Sequence, residues 1–340
     1  MYNYKYNFDK VGNRKFNLHL KSTGVSSYLL NAFMKIGFSG LFFAFSILGL
    51  LSCNHKSPFE ASSIPPHDSD IFKEYWYSGK AELNTYEVEQ SRYGETREGS
   101  AVLIFVTEDF SKKKQVKLDN PQKLNDDNVK VLKMNFTKNF VTGIYPYSMM
   151  LSCFTPIYQK QDSQTIKVSM TAQEWCGQVF TQLNLREGNY LVQSNSYFEK
   201  EGDRSEKIKS YCLEDEIWNR IRLNPQSLPT GEIQMIPGLF SSRLLHQDIK
   251  NQKALISKQE KNHETIYSIF FSADSRSLII TFQKVFPHKI LKWEENFVER
   301  GIAVTTKAYL KKSITLDYWT KNKNEFLNLR DSLGLSRTNF

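Results

Sequence analysis

The sequence predicts a mainly β fold: a large curled antiparallel sheet, an open barrel or a sandwich, with one or two short helices. Three observations carry this. Ala101-Val102-Leu103-Ile104-Phe105-Val106 is a continuous apolar run, long enough for a strand buried on both faces and too short for a free-standing helix. Leu132, Met134 and Phe136 alternate with Lys133 and Asn135, and Leu278, Ile280 and Phe282 alternate with Ile279, Thr281 and Gln283, the period of strands with a buried face. Aromatic residues make up 14% of the 340-residue chain, an enrichment that suits pleated, half-buried surfaces.

In chain order, the first segment lies outside any such fold. A basic start at Lys35, an apolar stretch and the small Ser52 before a break are the ingredients of a secretory signal, and Leu50-Leu51-Ser52-Cys53 resembles a bacterial lipoprotein signal motif. Ser52 must be small to fit a peptidase pocket. Cys53 supplies the nucleophilic thiol that takes a diacylglyceryl group as a thioether. One acyl chain, such as palmitate, binds a membrane marginally; two or three make a stable anchor. The alternative is an uncleaved membrane helix. Ile36 to Ser52 offers it only 17 residues, interrupted by three glycines and two internal serines. Residues 1–33 then read as a spurious N-terminal extension ahead of Met34, residues 34–52 as the signal peptide, and Cys53 to Phe340 as the mature chain.

Residues 53–70 read as the lipidated cysteine and a flexible tether, since Pro58, Pro65, Pro66 and four serines leave few large apolar groups. Fully stretched, it reaches at most about 55 to 60 Å. Residues 71–340 form the β-rich domain. Beyond the runs named above, strands are expected at Lys80 to Val88, Gly143 to Tyr158, Thr165 to Met170, Glu174 to Leu185, Tyr190 to Phe198, Glu264 to Phe271 and Ser313 to Trp319. Ten or more antiparallel strands point to the curled sheet, sandwich or open barrel. Leu213, Ile217 and Ile221 recur every four residues, with acids at the N-terminal end and Arg220 and Arg222 at the other, so a helix is expected before Pro225. Phe326, Leu329 and Leu333 mark a second helix that Gly334 ends. The loop at 224–231 either joins two subdomains or interrupts one sheet.

Charge and cysteine content bound the function. The formal net charge is +9, but the mature chain keeps 39 basic and 35 acidic side chains, too mild a balance for a nucleic-acid footprint. Lys112-Lys113-Lys114 and Lys311-Lys312 read as solvated strand ends, where lysine discourages edge pairing. Cys153, Cys176 and Cys212 remain after lipidation, so at most one intramolecular disulfide can form, and three buried small hydrophobes is the simpler account.

No Gly-rich phosphate loop, zinc-type cysteine pair, His-Glu-x-x-His or Gly-x-Ser-x-Gly elbow occurs, so no catalytic residue and no cofactor is assigned. Cys176 with His246 as base is the nearest approach to a nucleophilic pair, though Cys176 is expected inside a strand. A metal would have to draw on the dispersed His246, His263 and His288. The candidate site is aromatic instead: Trp76, Tyr77, Tyr145, Tyr147 and Trp175, with Met149 and Met150 nearby, could line an apolar cleft inside a curled sheet, against which stands ordinary core packing.

The segments Tyr75 to Glu82, Ser91-Arg92-Tyr93-Gly94-Glu95, Val102 to Phe110, Gln173-Glu174-Trp175-Cys176-Gly177, Leu228-Pro229-Thr230-Gly231 and Leu316-Asp317-Tyr318-Trp319 resemble a family of Bacteroidota envelope proteins whose members often carry the label "septum formation inhibitor Maf". The resemblance spans nearly all of the mature chain and implies an envelope location, but no activity. The nucleotide pyrophosphatases to which that label belongs use a Ser-x-Ser-Pro-Arg-Arg type loop, which is absent here; Ser241-Ser242-Arg243 lacks the proline and the second arginine, so no residue is carried over. In Bacteroidota, acids just after the lipidated cysteine accompany surface export. Only Glu60 lies near Cys53, which favours a lipid-anchored protein of the outer membrane facing the periplasm. The expected function is non-enzymatic binding of a hydrophobic ligand, a lipid or an envelope protein, with the membrane as a partner through the anchor and no nucleic acid. The alternative is an enzyme: an unrecognised hydrolase, or the pyrophosphatase of the label.

Overall fold

The computed structural model describes residues 69–122, 126–158 and 164–336, all within one compact unit that spans Phe59–Phe340. The expected signal motif Leu50, Leu51 and Ser52, the expected lipidation site Cys53 and nearly all of the expected tether lie outside the described residues.

The described chain enters through a helix, α1 (Asp70–Trp76), whose N-cap Ser69 accepts a hydrogen bond from the Phe72 amide. Eight strands follow: β1 (Ala81–Arg92), β2 (Glu95–Ser111), β3 (Asn128–Thr142), β4 (Tyr145–Pro156), β5 (Lys167–Glu174), β6 (Gly177–Arg186), β7 (Asn189–Ser196) and β8 (Arg204–Lys209). The two-residue strand β9 (Cys212–Leu213) leads into α2 (Glu214–Leu223). Then come β10 (Gly231–Ile236), α3 (Leu239–Leu245), β11 (Gln252–Lys261), β12 (Glu264–Phe271), β13 (Arg276–Gln283), β14 (Ile290–Glu299), β15 (Ile302–Leu316) and the short α4 (Asn328–Ser332).

All fifteen strands belong to one curled sheet, as the strand periodicity predicts, in the order β8-β7-β6-β5-β4-β3-β2-β1-β15-β14-β13-β12-β11-β10-β9. Every neighbouring pair is antiparallel except β9 with β10. The order is two meanders joined where β1 pairs β15. Strands on both sides of the 224–231 loop therefore share one sheet. Several hairpins turn through two residues of positive φ, among them Tyr93-Gly94 (57° and 79°) and Glu187-Gly188 (48° and 71°), a geometry whose twist matches the flanking strands. The ladder does not close: β8 and β9 are its edges, yet only Ser210 and Tyr211 separate them in sequence. At the other end of β8, Arg204 pairs with Asp248 at 2.5 Å, which ties that edge to the segment after α3.

Side chains alternate between an inner face, covered by α2 and α3, and an outer face. Leu103, Phe105, Leu132, Met134, Phe136, Ile280 and Phe282 all point inward and are buried. Phe136 is the hub of an aromatic cluster, with ring centroids 5.4 Å from Trp218 on α2, 5.1 Å from Phe240 on α3 and 5.5 Å from Trp293 on β14. A smaller apolar cluster sits on the outer side, where Leu333 beyond α4 packs with Ala81, Leu83 and Val106.

Four elements differ from expectation. Helices α1 and α3 carry seven residues each, too few for a visible 3.6-residue stripe. The expected strand Glu174 to Leu185 breaks at Trp175-Cys176, so Cys176 lies in an exposed turn between β5 and β6. Lys311 and Lys312 lie inside the central strand β15, at a bulge opposite Thr85 and Tyr86, rather than at a strand end.

Candidate functional site

Helix α2 runs along the inside of the sheet with nine of its ten residues buried, charged ones included. Burying a charge is costly unless it is paired and hydrogen-bonded, and here the partners come from distant strands. Arg222 grips Glu82 of β1 through two bonds of 2.5 and 2.7 Å, donates from Nε to the Pro287 carbonyl, and lies over the rings of Trp76 and Phe105. Tyr75 and Asn84 also donate to Glu82. Burial alone would push the Glu82 carboxyl up; the Arg222 guanidinium and these donors outweigh it and hold the pKa at about 2.

A second group surrounds the start of α2. Arg276 of β13 makes two bonds to Glu214, 2.6 and 2.7 Å long, and a third of 2.8 Å to Glu295. Asp215 accepts from the Leu239 amide, and burial beside Glu214 raises its pKa to about 8. Lys138 of β3 is buried against the rings of Phe136 and Phe240, and this desolvation pushes its ammonium pKa down despite Glu295 nearby. Gly238 is required here, because a Cβ at that position would sit 2.7 Å from a Glu214 oxygen. A cavity of about 30 Å3 lies among these groups, room for one water. An acid with a raised pKa and an amine with a lowered one are the ingredients of proton transfer, but the space between them admits no substrate.

At the tied edge, Glu201 bonds the His246 ring at 2.6 Å, and Arg243 at 3.4 Å. Although burial opposes it, Ser196, His246 and Arg243 pull the Glu201 pKa below the usual range. These groups border a cleft of about 70 Å3 and fasten the β7–β8 hairpin to α3.

The outer face of β2 to β7 is different in kind. The pairing register lines Asn135, Ser152, Ser169, Gln182, Gln193 and Ser205 into one row across the strands, the last on β8. The adjacent row is Val102, Thr137, Met150, Thr171, Phe180 and Asn195. A third contains Ser100, Asn139, Ser148, Gln173 and Gln178. None of these residues is charged. Two hollows open over the second and third rows. One, of about 550 Å3, spans β2 to β4 and is walled by Arg330, Gly334 and Leu335 of the C-terminal segment. The other, of about 570 Å3, spans β5 to β7, with Cys176 and Tyr197 at its rim. They abut at the Met150/Thr171 and Ser148/Gln173 pairs.

No family model matches the chain, and no curated protein matches it. A search of solved structures finds a porin-like protein from Bacteroides uniformis ATCC 8492, with 10% identity, coverage of 68% of this chain and 95% of that chain, and a TM-score of 0.19. A score that low carries no argument about fold or function.

The five aromatics singled out from the sequence fall into two groups. Trp76 and Tyr77 belong to the α1 end, where Trp76 packs on Phe105 and its carbonyl accepts from Thr107. Tyr145, Tyr147 and Trp175 gather at the other end, with centroids 5.9 Å apart for Tyr145 and Tyr147 and 6.4 Å for Tyr145 and Trp175. Tyr147 aligns through Phe140 with Gly99, so the groups are separated along β2 by six residues, about 20 Å. They do not line one cleft inside the sheet. Trp76 and Tyr147 are core residues, Trp175 is 69% exposed, and α2 and α3 occupy the space between. Met149 points inward and Met150 outward. Cys176 and His246 are not in contact: the Cys176 amide bonds Glu174, and His246 bonds Glu201. All three described cysteines are free thiols. Among the described residues, no three His, Cys, Asp or Glu side chains converge as metal ligands would.

Proposed function

We propose that the chain is a cell-envelope lipoprotein, anchored by acyl chains on Cys53 at the outer membrane and facing the periplasm, whose β domain acts without catalysis by binding a ligand or partner on the outer face of its sheet. One observation carries the binding site: the abutting hollows of about 550 and 570 Å3 lie on the outer face, within the size of ligand sites, whereas the clefts against α2 and α3 measure about 30 and 70 Å3. The apolar floor at Val102, Met150 and Phe180 suits hydrophobic contact. The signal motif at Leu50 to Cys53 and the resemblance to the Bacteroidota envelope family support the location.

Two measurements test this. Metabolic labelling with an alkyne fatty acid should mark the parent protein and leave Cys53→Ser unlabelled; equal labelling of both would refute the anchor. Native mass spectrometry of the mature protein, incubated with extract of its own envelope, should show a bound species that is lost on Thr171→Glu, a change confined to the outer face. A bare mass, or a bound species indifferent to Thr171→Glu, refutes the site.

A further inference from the structure

We infer that the outer face of β2 to β7 binds a neutral glycan chain, a polymer of uncharged sugars laid across the strands. This rests on the outer-face site proposed above and names its ligand class.

The first argument is charge. Residues of the DEKR set make up 24% of the chain, and solvent-facing sheet positions are where they normally collect. The other half of this same outer surface follows that rule: Glu89, Lys307 and Glu294 form one cross-strand row over β1, β15 and β14. On β2 to β7 three successive rows exclude charge altogether. An anionic headgroup, a nucleic acid or an acidic peptide would be met by Lys or Arg, and a basic partner by Asp or Glu. The three rows supply neither, and the charges at their margin, Glu98 and Arg330 at one hollow and Asp203 at the other, are scattered and of both signs, so the floor matches an uncharged ligand.

The second argument is hydrogen bonding. Among the described residues, the side chains of Asn139, Gln173, Gln178, Gln193 and Asn195 make no hydrogen bond within the chain. Each amide offers two donors and an acceptor, and each intervening Ser or Thr one donor and two lone pairs. A purely apolar ligand would strip water from these groups and return nothing, which is unfavourable. A sugar hydroxyl both donates and accepts and satisfies them in either orientation. The six strands measure about 24 Å across at ~4.8 Å per strand, a track for a chain rather than a single ring.

The third argument is aromatic. Tyr197, 71% exposed, stands at the rim of the hollow over β5 to β7, and Trp175, 69% exposed, projects from the adjoining β5–β6 turn beside Tyr145. The Tyr197 side chain packs against Gly177, where a Cβ would come within 2.6 Å of its Cγ, so the ring can approach this closely only because position 177 has no side chain. Ring faces carry negative π density and pair with the weakly positive C–H face of a sugar. Phe180 supplies apolar floor in the same hollow as Tyr197.

The test is affinity gel electrophoresis of the mature protein through gels containing neutral soluble polysaccharides, among them a glucan and a galactomannan, with a polyuronate as the charged comparison. Retardation by a neutral polymer is expected. Tyr197→Ala, at the exposed rim of the hollow, and the pair Thr171→Glu with Gln193→Glu should each weaken the apparent Kd tenfold or more, while Ser268→Glu on the outer face of β12 should change nothing; circular dichroism confirms that all fold. Retardation by the polyuronate alone, by no polymer, or equally in the Thr171→Glu, Gln193→Glu variant overturns the inference. If the envelope-extract species proves to be a protein or a lipid and is lost on Thr171→Glu, the glycan is refuted and the outer-face site stands. If that species survives Thr171→Glu, both fall.

Discussion

Exchanging Glu82 for Gln removes one charge from the most enclosed ion pair among the described residues and leaves the other in place. Glu82 is 1% exposed and Arg222 fully buried, joined by bonds of 2.5 and 2.7 Å. Removing one partner of such a pair strands a buried charge, at a cost of about 3–5 kcal/mol. The pKa gives a second route to the magnitude. Glu82 falls from 4.5 to about 2 on folding, which corresponds to about 3 kcal/mol of stability. Because the folded-state value is depressed, that stability is present above pH 4.5 and is lost as the pH falls through 2. The parent thus loses at low pH what the Gln variant never had. Glu82→Gln should therefore cost about 3–5 kcal/mol at pH 7 and about 2 kcal/mol less than that at pH 3. Urea unfolding followed by the fluorescence of buried Trp76, Trp218 and Trp293 measures both. A cost below about 1 kcal/mol at pH 7, or one identical at the two pH values, would refute the reasoning.

Two further predictions concern groups pushed the other way. Asp215 rises from 3.8 to about 8, so its contribution is complete below pH 3.8 and declines as the pH rises through 8; Asp215→Asn should flatten that decline and stabilise the protein by about 1–3 kcal/mol at pH 7, the gap closing toward pH 4. An unchanged pH profile in urea unfolding would contradict it. Among the free thiols, Cys176 is exposed, with its pKa raised by the hydrogen bond to Glu174, whereas Cys153 and Cys212 are pushed up by burial. A chromogenic disulfide should react with one thiol in the folded protein and with the other two only on unfolding, and Glu174→Gln should speed the first reaction several-fold at pH 7. Equal reactivity of all three, or no acceleration, would count against this arrangement.

How much of the site was legible in the sequence depends on the range of the interaction. The α2 helix was visible because Leu213, Ile217 and Ile221 repeat locally and Pro225 ends the run. Its burial was not, because Glu214 and Arg222 look like a solvated surface until Arg276 and Glu82, 62 and 140 residues away, arrive to pair with them. The β5–β6 turn was missed because Trp175-Cys176 carries none of the Gly, Asn or Asp that usually signal a hairpin turn. The Trp76 and Tyr147 rings stood out as potential ligand contacts, but their neighbours Phe105 and Phe140 make them core.

By itself the sequence determined the strand class and the inward faces of strands such as Leu132 to Phe136 and Leu278 to Phe282, because each is written in residues within a few positions of one another. Only the tertiary structure decided that the strands form a single sheet of fifteen, that β8 and β9 become its neighbouring edges, and that Asn135, Ser152, Ser169, Gln182 and Gln193 stand in line. A strand's pattern specifies which side chains face the core. Which residue lies opposite which is set by turn geometry and by every hairpin before it, so an uncharged surface assembled from six strands has no local signature.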